Sequence, residues 1–216
     1  MRIIVTGGAG GLGRQIVRVL SEAGHSLLSC DLAHEHESDT QRRLDVTDEV
    51  QVAALFGAEP ALEALIHCAG IGIFKPFDEL TVNDWSALLD TNVTGAFLVS
   101  QAAARGMRGS GGGRIVHFGS VANTRALDGS AAYGASKAAL GMMCKSMNHE
   151  LGPHGIRTTF LTLGAVYTPI WESRPEFFAS DMLSVDDVAR VVRDVVESPL
   201  HLWIDDMTLL PPKGIL

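Results

Sequence analysis

A phenol and an ammonium stand four residues apart in Ser130-Ala-Ala-Tyr133-Gly-Ala-Ser-Lys137-Ala-Ala-Leu140, a run that reads as helix. Four residues is about one helical turn, so Tyr133 and Lys137 share a face. A free tyrosine has a pKa of about 10, and making it a proton acceptor near neutrality takes about 4 kcal/mol. An ammonium about 4 Å away supplies up to roughly 4 kcal/mol at an effective dielectric of about 20, before the opposing cost of burying both groups. Such a pair can exchange a proton with a substrate oxygen. Taken alone, it reads equally well as an exposed Tyr and Lys at helical spacing, and the rest of the chain has to decide.

The elements that would position the pair alternate short apolar runs with helical patterns. Arg2 to Thr6 is a β-branched apolar run, followed at once by Gly7-Gly8-Ala9-Gly10-Gly11-Leu12-Gly13 and then by Arg14 to Leu20 with helical periodicity. Strand, glycine turn and helix together let backbone approach a diphosphate, and the helix N-terminus adds unpaired N–H groups and a partial positive charge. A plain tight turn is the competing reading of the glycines. The next run, Ser26 to Cys30, ends at Asp31, eighteen residues beyond Gly13, where a dinucleotide fold sets an acid against the adenosine ribose. A carboxylate there accepts from both ribose hydroxyls and repels a 2′-phosphate by roughly 3 kcal/mol per unit charge at about 5 Å and a dielectric of about 20. Leu32 follows, and Glu35 and Glu37 stand nearby where arginines would welcome NADP, so the pattern favours NAD. The bland alternative for Asp31 is a turn residue after a strand.

His34-Glu35-His36-Glu37 alternates imidazoles with carboxylates but lies in a polar stretch with Ser38, Asp39 and Thr40, and it reads as a solvated loop, with no metal expected. A third strand near Arg43-Leu44 ends at Asp45-Val46-Thr47, and Asp48-Glu49 opens a short helix; Asp45 either receives an adenine amino group or caps that helix. Leu65 to Gly70 is a fourth strand ending in Cys68, Ala69 and Gly70, small enough to let a cofactor lie over the sheet edge. After Thr81, an N-cap, one long helical pattern carries Trp85, Leu88, Leu89, Val93, Phe97 and Val99. Asn92 sits inside it as a poor helix former, which either faces solvent or bonds locally and bends the helix.

Gly109 to Gly113 follows a helix and precedes a strand, the wrong order for a phosphate cradle, and reads as a flexible turn. The fifth strand, Arg114 to Ser120, delivers Ser120 at its carboxyl end, thirteen residues before Tyr133, with His117 packed inside it. The helix bearing Tyr133 and Lys137 runs to about Leu151, and Ile156 to Leu163 is a sixth strand, broken by Gly164 to Pro169. Pro169 to Asp181, with Trp171, Phe177 and Phe178, reads as a short, partly apolar flap near residues 169–183. A helix from Ser184 to Glu197 and a last strand from Leu202 to Leu209 complete the chain.

Composition bounds the function. At 216 residues and 46% hydrophobic content the chain can bury a full core, and one domain spanning 1–216 is expected. Seventeen basic against twenty-five acidic residues, with no Lys/Arg cluster on any expected helix, argue against nucleic acid or anionic membrane as the main partner. No signal peptide and no membrane span are expected, since no apolar run approaches about eighteen residues. Three cysteines, Cys30, Cys68 and Cys144, an odd number without metal-type spacing, fit reduced thiols in the cytoplasm.

With these residues in hand the chain resembles the short-chain dehydrogenase/reductases, in their compact single-domain branch, from about Arg2 to Pro211. Thr6-Gly7 with Gly11 and Gly13 fits the family's cofactor turn; Asn92, Ser120, Tyr133 and Lys137 fit its catalytic tetrad; Asp45-Val46 matches the position that holds adenine. The resemblance implies an α/β, Rossmann-like, doubly wound parallel sheet of about seven strands with helices on both faces. It implies Tyr133 as the acid/base during hydride transfer to or from a nicotinamide. Ser120 would bond the substrate oxygen, and Lys137 would depress the Tyr133 pKa and hold the nicotinamide ribose. Asn92 would help order a proton-relaying water. Leu12, Leu32, Gly164, Val166 and Thr168 complete the expected NAD contacts, with NADP less favoured. An alcohol or ketone is the implied substrate, and a homodimer or homotetramer through the two long helices the implied assembly. The Ala135, Ala138 and Ala139 face either packs there or turns to the sheet.

Three departures stand out. His67-Cys68 replaces the usual pair of asparagines, so a hydrogen bond bracing the sheet is missing or replaced. Leu163-Gly164 replaces Pro-Gly, and the flap and tail are short. Pocket residues are expected from Phe74, Val121, Asn123, Arg125, Leu127, Ala165, Val166, Tyr167 and Trp171, with Arg125 either pairing an anionic substrate or standing as a solvated charge. A different class of function, a nucleotide-binding regulatory or scaffold protein of the same fold, leaves the tetrad unexplained, as does a methyltransferase.

Overall fold

The computed structural model describes residues 1–59, 61–168 and 178–214. Seven parallel strands form one sheet: β1 (Arg2–Thr6), β2 (Ser26–Asp31), β3 (Gln41–Arg43), β4 (Ala64–His67), β5 (Gly113–Ser120), β6 (Ile156–Leu163) and β7 (Asp206–Leu209), ordered β3-β2-β1-β4-β5-β6-β7. Helices α1 (Gly11–Glu22) and α6 (Val185–Glu197) cover one face; α2 (Glu49–Gly57), α4 (Ala96–Gly109) and α5 (Ala131–Leu151) cover the other. With both faces covered, the central strands are apolar almost throughout, as a parallel sheet requires. Alternate residues then serve opposite cores: Ile3 and Val5 pack with Ile16, Leu20 and Val192, whereas Ile4 packs with Leu28, Val52 and Val99. The order reverses between β1 and β4, which opens a crevice at their carboxyl ends.

Local signals set most boundaries as expected. Asp48 caps α2 by accepting from Val50 N and Gln51 N, at 2.9 and 3.0 Å. Thr81 opens α3 (Val82–Leu89) in a reciprocal capping box with Asp84, and Ser184 accepts from Asp187 N at 3.0 Å to start α6. Gly111 and Gly112, at φ +92° and +114°, make the turn from α4 into β5.

Three expectations are corrected. The long helix after Thr81 is interrupted: α3 passes through a π-turn, Asp90–Gly95, into α4. The third strand stops at Arg43, leaving Leu44 outside it as a buried core residue. The last strand starts at Asp206 rather than Leu202, because Leu202 N closes a turn onto Pro199 O at 2.9 Å and Trp203 lies under the Arg157 guanidinium, 5.3 Å from its ring centre. Most of the expected flap, including Trp171 and Phe177, lies outside the described residues. Its end, Ala179–Asp181, is a single 3-10 turn, and Leu183 pairs with the backbone of Ala165 and Tyr167.

Candidate active site

The glycine turn is built for close approach. Gly7 adopts φ +71°, and a Cβ there would lie 2.5 Å from Ala69 N; a Cβ on Gly13 would lie 2.1 Å from Gly7 O. Only hydrogen fits at either position, so the turn folds tightly against the end of β4 and leaves the start of α1 open to a diphosphate. Asp31 ends β2 and accepts from Ala9 N at 3.0 Å and Ala33 N at 2.9 Å, tying the turn to the next strand.

Two cavities flank this turn. One, of about 380 Å³, is lined by Gly7, Asp31, Leu32, Asp45, Val46 and the Cys68-Ala69-Gly70 segment, which follows β4 rather than ending it as expected. Asp45 does not cap α2; its Oδ1 accepts from Thr47 N and Thr47 Oγ1, at 2.9 and 2.7 Å, which leaves Asp45 on the cavity wall while Asp48 does the capping. The other, of about 360 Å³, brings together Leu12, Ser120, Tyr133, Lys137, Gly164 and Thr168, with Val166 beside them. Thr6 and Gly13 are buried behind these walls rather than on them, and Gly11 is half-buried as the first residue of α1. The two cavities suit the two halves of a dinucleotide: a carboxylate at the rim of one, and proton-exchanging side chains in the other.

Around Tyr133 the wall is aromatic and apolar. The ring of Phe74 packs against that of Tyr133 at 5.1 Å between centres. Burial pushes the Tyr133 phenol up, and the neighbouring Ser120 hydroxyl draws it only partway back. Lys137, 8% exposed, donates from Nζ to Phe118 O at 2.9 Å and sits 5.9 Å from the Tyr133 ring centre. Its own pKa is pushed down to about 8 by burial. The expected depression of Tyr133 by Lys137 is therefore not what this geometry produces: the ammonium is turned to a carbonyl, and desolvation governs both groups.

Asn92 also departs from expectation. It is 1% exposed and bonds across the fold: Oδ1 accepts from Ile71 N at 2.9 Å, while Nδ2 donates to Ile71 O at 2.9 Å and Ser136 Oγ at 3.0 Å. Ser136 in turn donates to Tyr133 O at 2.7 Å, so the π-turn grips the first turn of α5 through a residue that sequence reasoning missed. Its only signal was its place between Tyr133 and Lys137. A Cβ on Gly70 would lie 3.1 Å from Asn92 Oδ1 and 3.7 Å from Lys137 Nζ, which places both groups at the end of β4. A π-turn is a common device for aiming one side chain out of helical register.

The missing brace is replaced. Thr6 and His67 face each other across β1 and β4, and Thr6 Oγ1 and His67 Nδ1 share a hydrogen bond of 2.7 Å. His117 is fully buried, as expected, and pairs through Nε2 with Ser100 Oγ at 2.9 Å. Arg125 is exposed and lines a neighbouring cavity with Asn123, Leu127 and Lys75. In the polar loop Glu35, His36 and Glu37 are exposed, and His34 turns inward to Ser29 Oγ at 2.9 Å.

Residues 1–179 match the family model for short chain dehydrogenase. The chain is a short-chain dehydrogenase/reductase. This dehydrogenase/reductase is 31% identical over 221 residues to the cis-4-hydroxycyclohexanecarboxylate dehydrogenase of Sinomonas cyclohexanicum, covering 94% of this chain and 88% of that one. Its fold superposes on serine dehydrogenase from Escherichia coli with a TM-score of 0.88 at 24% identity, over the full length of both chains. A serine dehydrogenase complexed with NADP+ gives 0.86 at 23% identity, over 100% of this chain and 97% of that one. The dehydrogenase/reductase thus belongs to an oxidoreductase family that binds a nicotinamide cofactor, and the glycine turn and paired cavities fit such a group.

Proposed function

We propose that this chain transfers a hydride between NAD(H) and an alcohol or ketone, with Tyr133 as the acid/base. The observation that carries the reading is the convergence of Ser120, Tyr133 and Lys137 on one largely apolar cavity of about 360 Å³. When bound, the nicotinamide cofactor supplies the hydride acceptor or donor. Ser120 donates a hydrogen bond to the substrate oxygen, and Tyr133 takes the hydroxyl proton in oxidation and returns it in reduction. Lys137 holds the nicotinamide ribose hydroxyls, and Asn92 fixes the end of β4 beside it. Asp31 receives the adenosine ribose and sets the preference for NAD; Asp45 and Val46 hold adenine, and Gly164, Val166 and Thr168 border the carboxamide.

The apolar wall of Leu12, Phe74, Val121 and Leu127 suits an uncharged carbon skeleton next to the reacting oxygen. Residues 1–216 act as one cofactor-binding domain. Cys30, Cys68 and Cys144 are free thiols, in keeping with a cytoplasmic protein. Ala138 and Ala139 are exposed on α5, and with the exposed Phe97 of α4 and Met142 of α5 they support pairing of two copies through these helices.

Titration with NADH and NADPH, read by nicotinamide fluorescence, tests the cofactor assignment. A panel of alcohols and ketones with wild type and Tyr133→Phe tests the chemistry. The variant loses turnover by about 10²-fold or more while keeping NADH affinity; retained turnover sinks the assigned role. Tight NADH binding with no turnover across the panel returns the chain to the scaffold reading.

A further inference from the structure

We infer that Arg43 is a cofactor-specificity residue: a cation beside Asp31 that accepts a 2′-phosphate and gives this chain measurable affinity for NADP(H) alongside its preference for NAD(H). The inference rests on the nicotinamide-cofactor reading above. Parallel pairing of β2 with β3 sets Arg43 directly opposite Asp31, although the two are twelve residues apart in sequence. The Arg43 side chain is exposed, and its Nη1 donates to Leu32 O at 2.6 Å, so the guanidinium lies at the Leu32–Ala33 peptide, whose N–H donates to Asp31. Asp31 itself is engaged with Ala9 N and Ala33 N, and among the described residues no carboxylate pairs with Arg43. One backbone carbonyl thus holds a full positive charge at the rim of the cavity that Asp31 and Leu32 line.

A phosphate on the ribose 2′-oxygen would bring a dianion to this rim. Asp31 repels it; Arg43, paired with Asp31 in register, attracts it, and a phosphate offers the guanidinium a bidentate charged acceptor where Leu32 O is a single neutral one. The two charges offset one another. The result is graded preference for NAD(H) in place of exclusion of NADP(H), which Asp31 alone would impose.

Arg43→Gln tests this on the full chain, because it removes the charge while keeping a donor for Leu32 O, and the side chain is exposed enough to spare the fold. Dissociation constants for NADH and NADPH are measured by nicotinamide fluorescence, without substrate. Wild type binds NADPH within about 100-fold of NADH. The variant weakens NADPH by about tenfold more and shifts NADH by less than about twofold, and Arg43→Lys, which keeps the charge, retains NADPH within about threefold of wild type. Equal weakening of both cofactors in Arg43→Gln would make Arg43 a clamp on Leu32 and overturn the inference. Wild type that binds NADH but no NADPH overturns it while leaving the oxidoreductase reading in place; binding of neither overturns both.

Discussion

Replacing Lys137 by Met should make the protein more stable at neutral pH, in a strictly pH-dependent way, while removing its chemistry. Lys137 Nζ is buried and bonded to one carbonyl, Phe118 O at 2.9 Å, and burial drops its pKa from 10.5 to about 8. The gap between these values is worth about 3 kcal/mol against the folded state wherever the lysine is protonated in both states. Between about pH 8 and 10.5 the unfolded chain still holds a proton that the folded chain has released, so the penalty fades and stability rises with pH. Methionine fills a similar volume, carries no charge and forfeits about 1 kcal/mol through the orphaned Phe118 carbonyl. The variant should therefore gain about 2 kcal/mol at pH 7 and lose that advantage by pH 10. Other groups act in the opposite sense: burial raises the thiols of Cys30, Cys68 and Cys144 and the Tyr133 phenol, so the folded chain keeps protons that the unfolded chain sheds above about pH 9. Both proteins carry these groups, and although the Lys137 charge pulls the Cys68 and Cys144 thiols down, burial is the larger effect on each, so the difference between the two stability curves is governed by Lys137. Urea unfolding at pH 7, 8, 9 and 10, followed by tryptophan fluorescence, gives that difference. Parallel curves, with a constant offset from pH 7 to 10, would refute the argument that burial holds the lysine down.

Two further substitutions test the supports of the site. In Gly13→Ala the added methyl would sit 2.1 Å from Gly7 O, so the turn must open: a loss of about 1–3 kcal/mol in chemical denaturation, with at least tenfold weaker NADH binding, is expected, and unchanged affinity would count against a close-approach role. Thr6→Val keeps the shape of a fully buried side chain but strips His67 Nδ1 of its partner at 2.7 Å, leaving an imidazole whose Nε2 has none among the described residues; a loss of about 1–3 kcal/mol is expected, and a neutral substitution would show that Thr6 and His67 do not brace the sheet.

Local chemistry was legible in the sequence because it is decided within a few residues: the glycine turn, the caps at Thr81 and Ser184, and the strands whose apolar runs have no polar face. What lay hidden was decided by register between segments far apart. Asn92 looks like a helix defect along the chain, and only the fold shows that the defect is a π-turn whose side chain bonds Ile71 and Ser136. Arg43 looks like one of two arginines in a short strand until pairing with β2 sets it beside Asp31. His67 looks like the loss of a brace until pairing with β1 brings Thr6 Oγ1 within 2.7 Å of it.

The Tyr133 and Lys137 pair makes the same point energetically. Helical spacing puts the two on one face, and Coulomb attraction alone would pull the phenol down. The fold buries the phenol against Phe74 and turns the ammonium to Phe118 O, so desolvation raises one pKa and lowers the other. Both shifts favour the uncharged forms, a neutral phenol ready to donate and a lysine within reach of deprotonation. In the proposed reaction, reduction draws on the neutral phenol and oxidation needs the phenolate, so the oxidation rate should climb with pH where the reduction rate declines, which pH profiles measured in both directions would check.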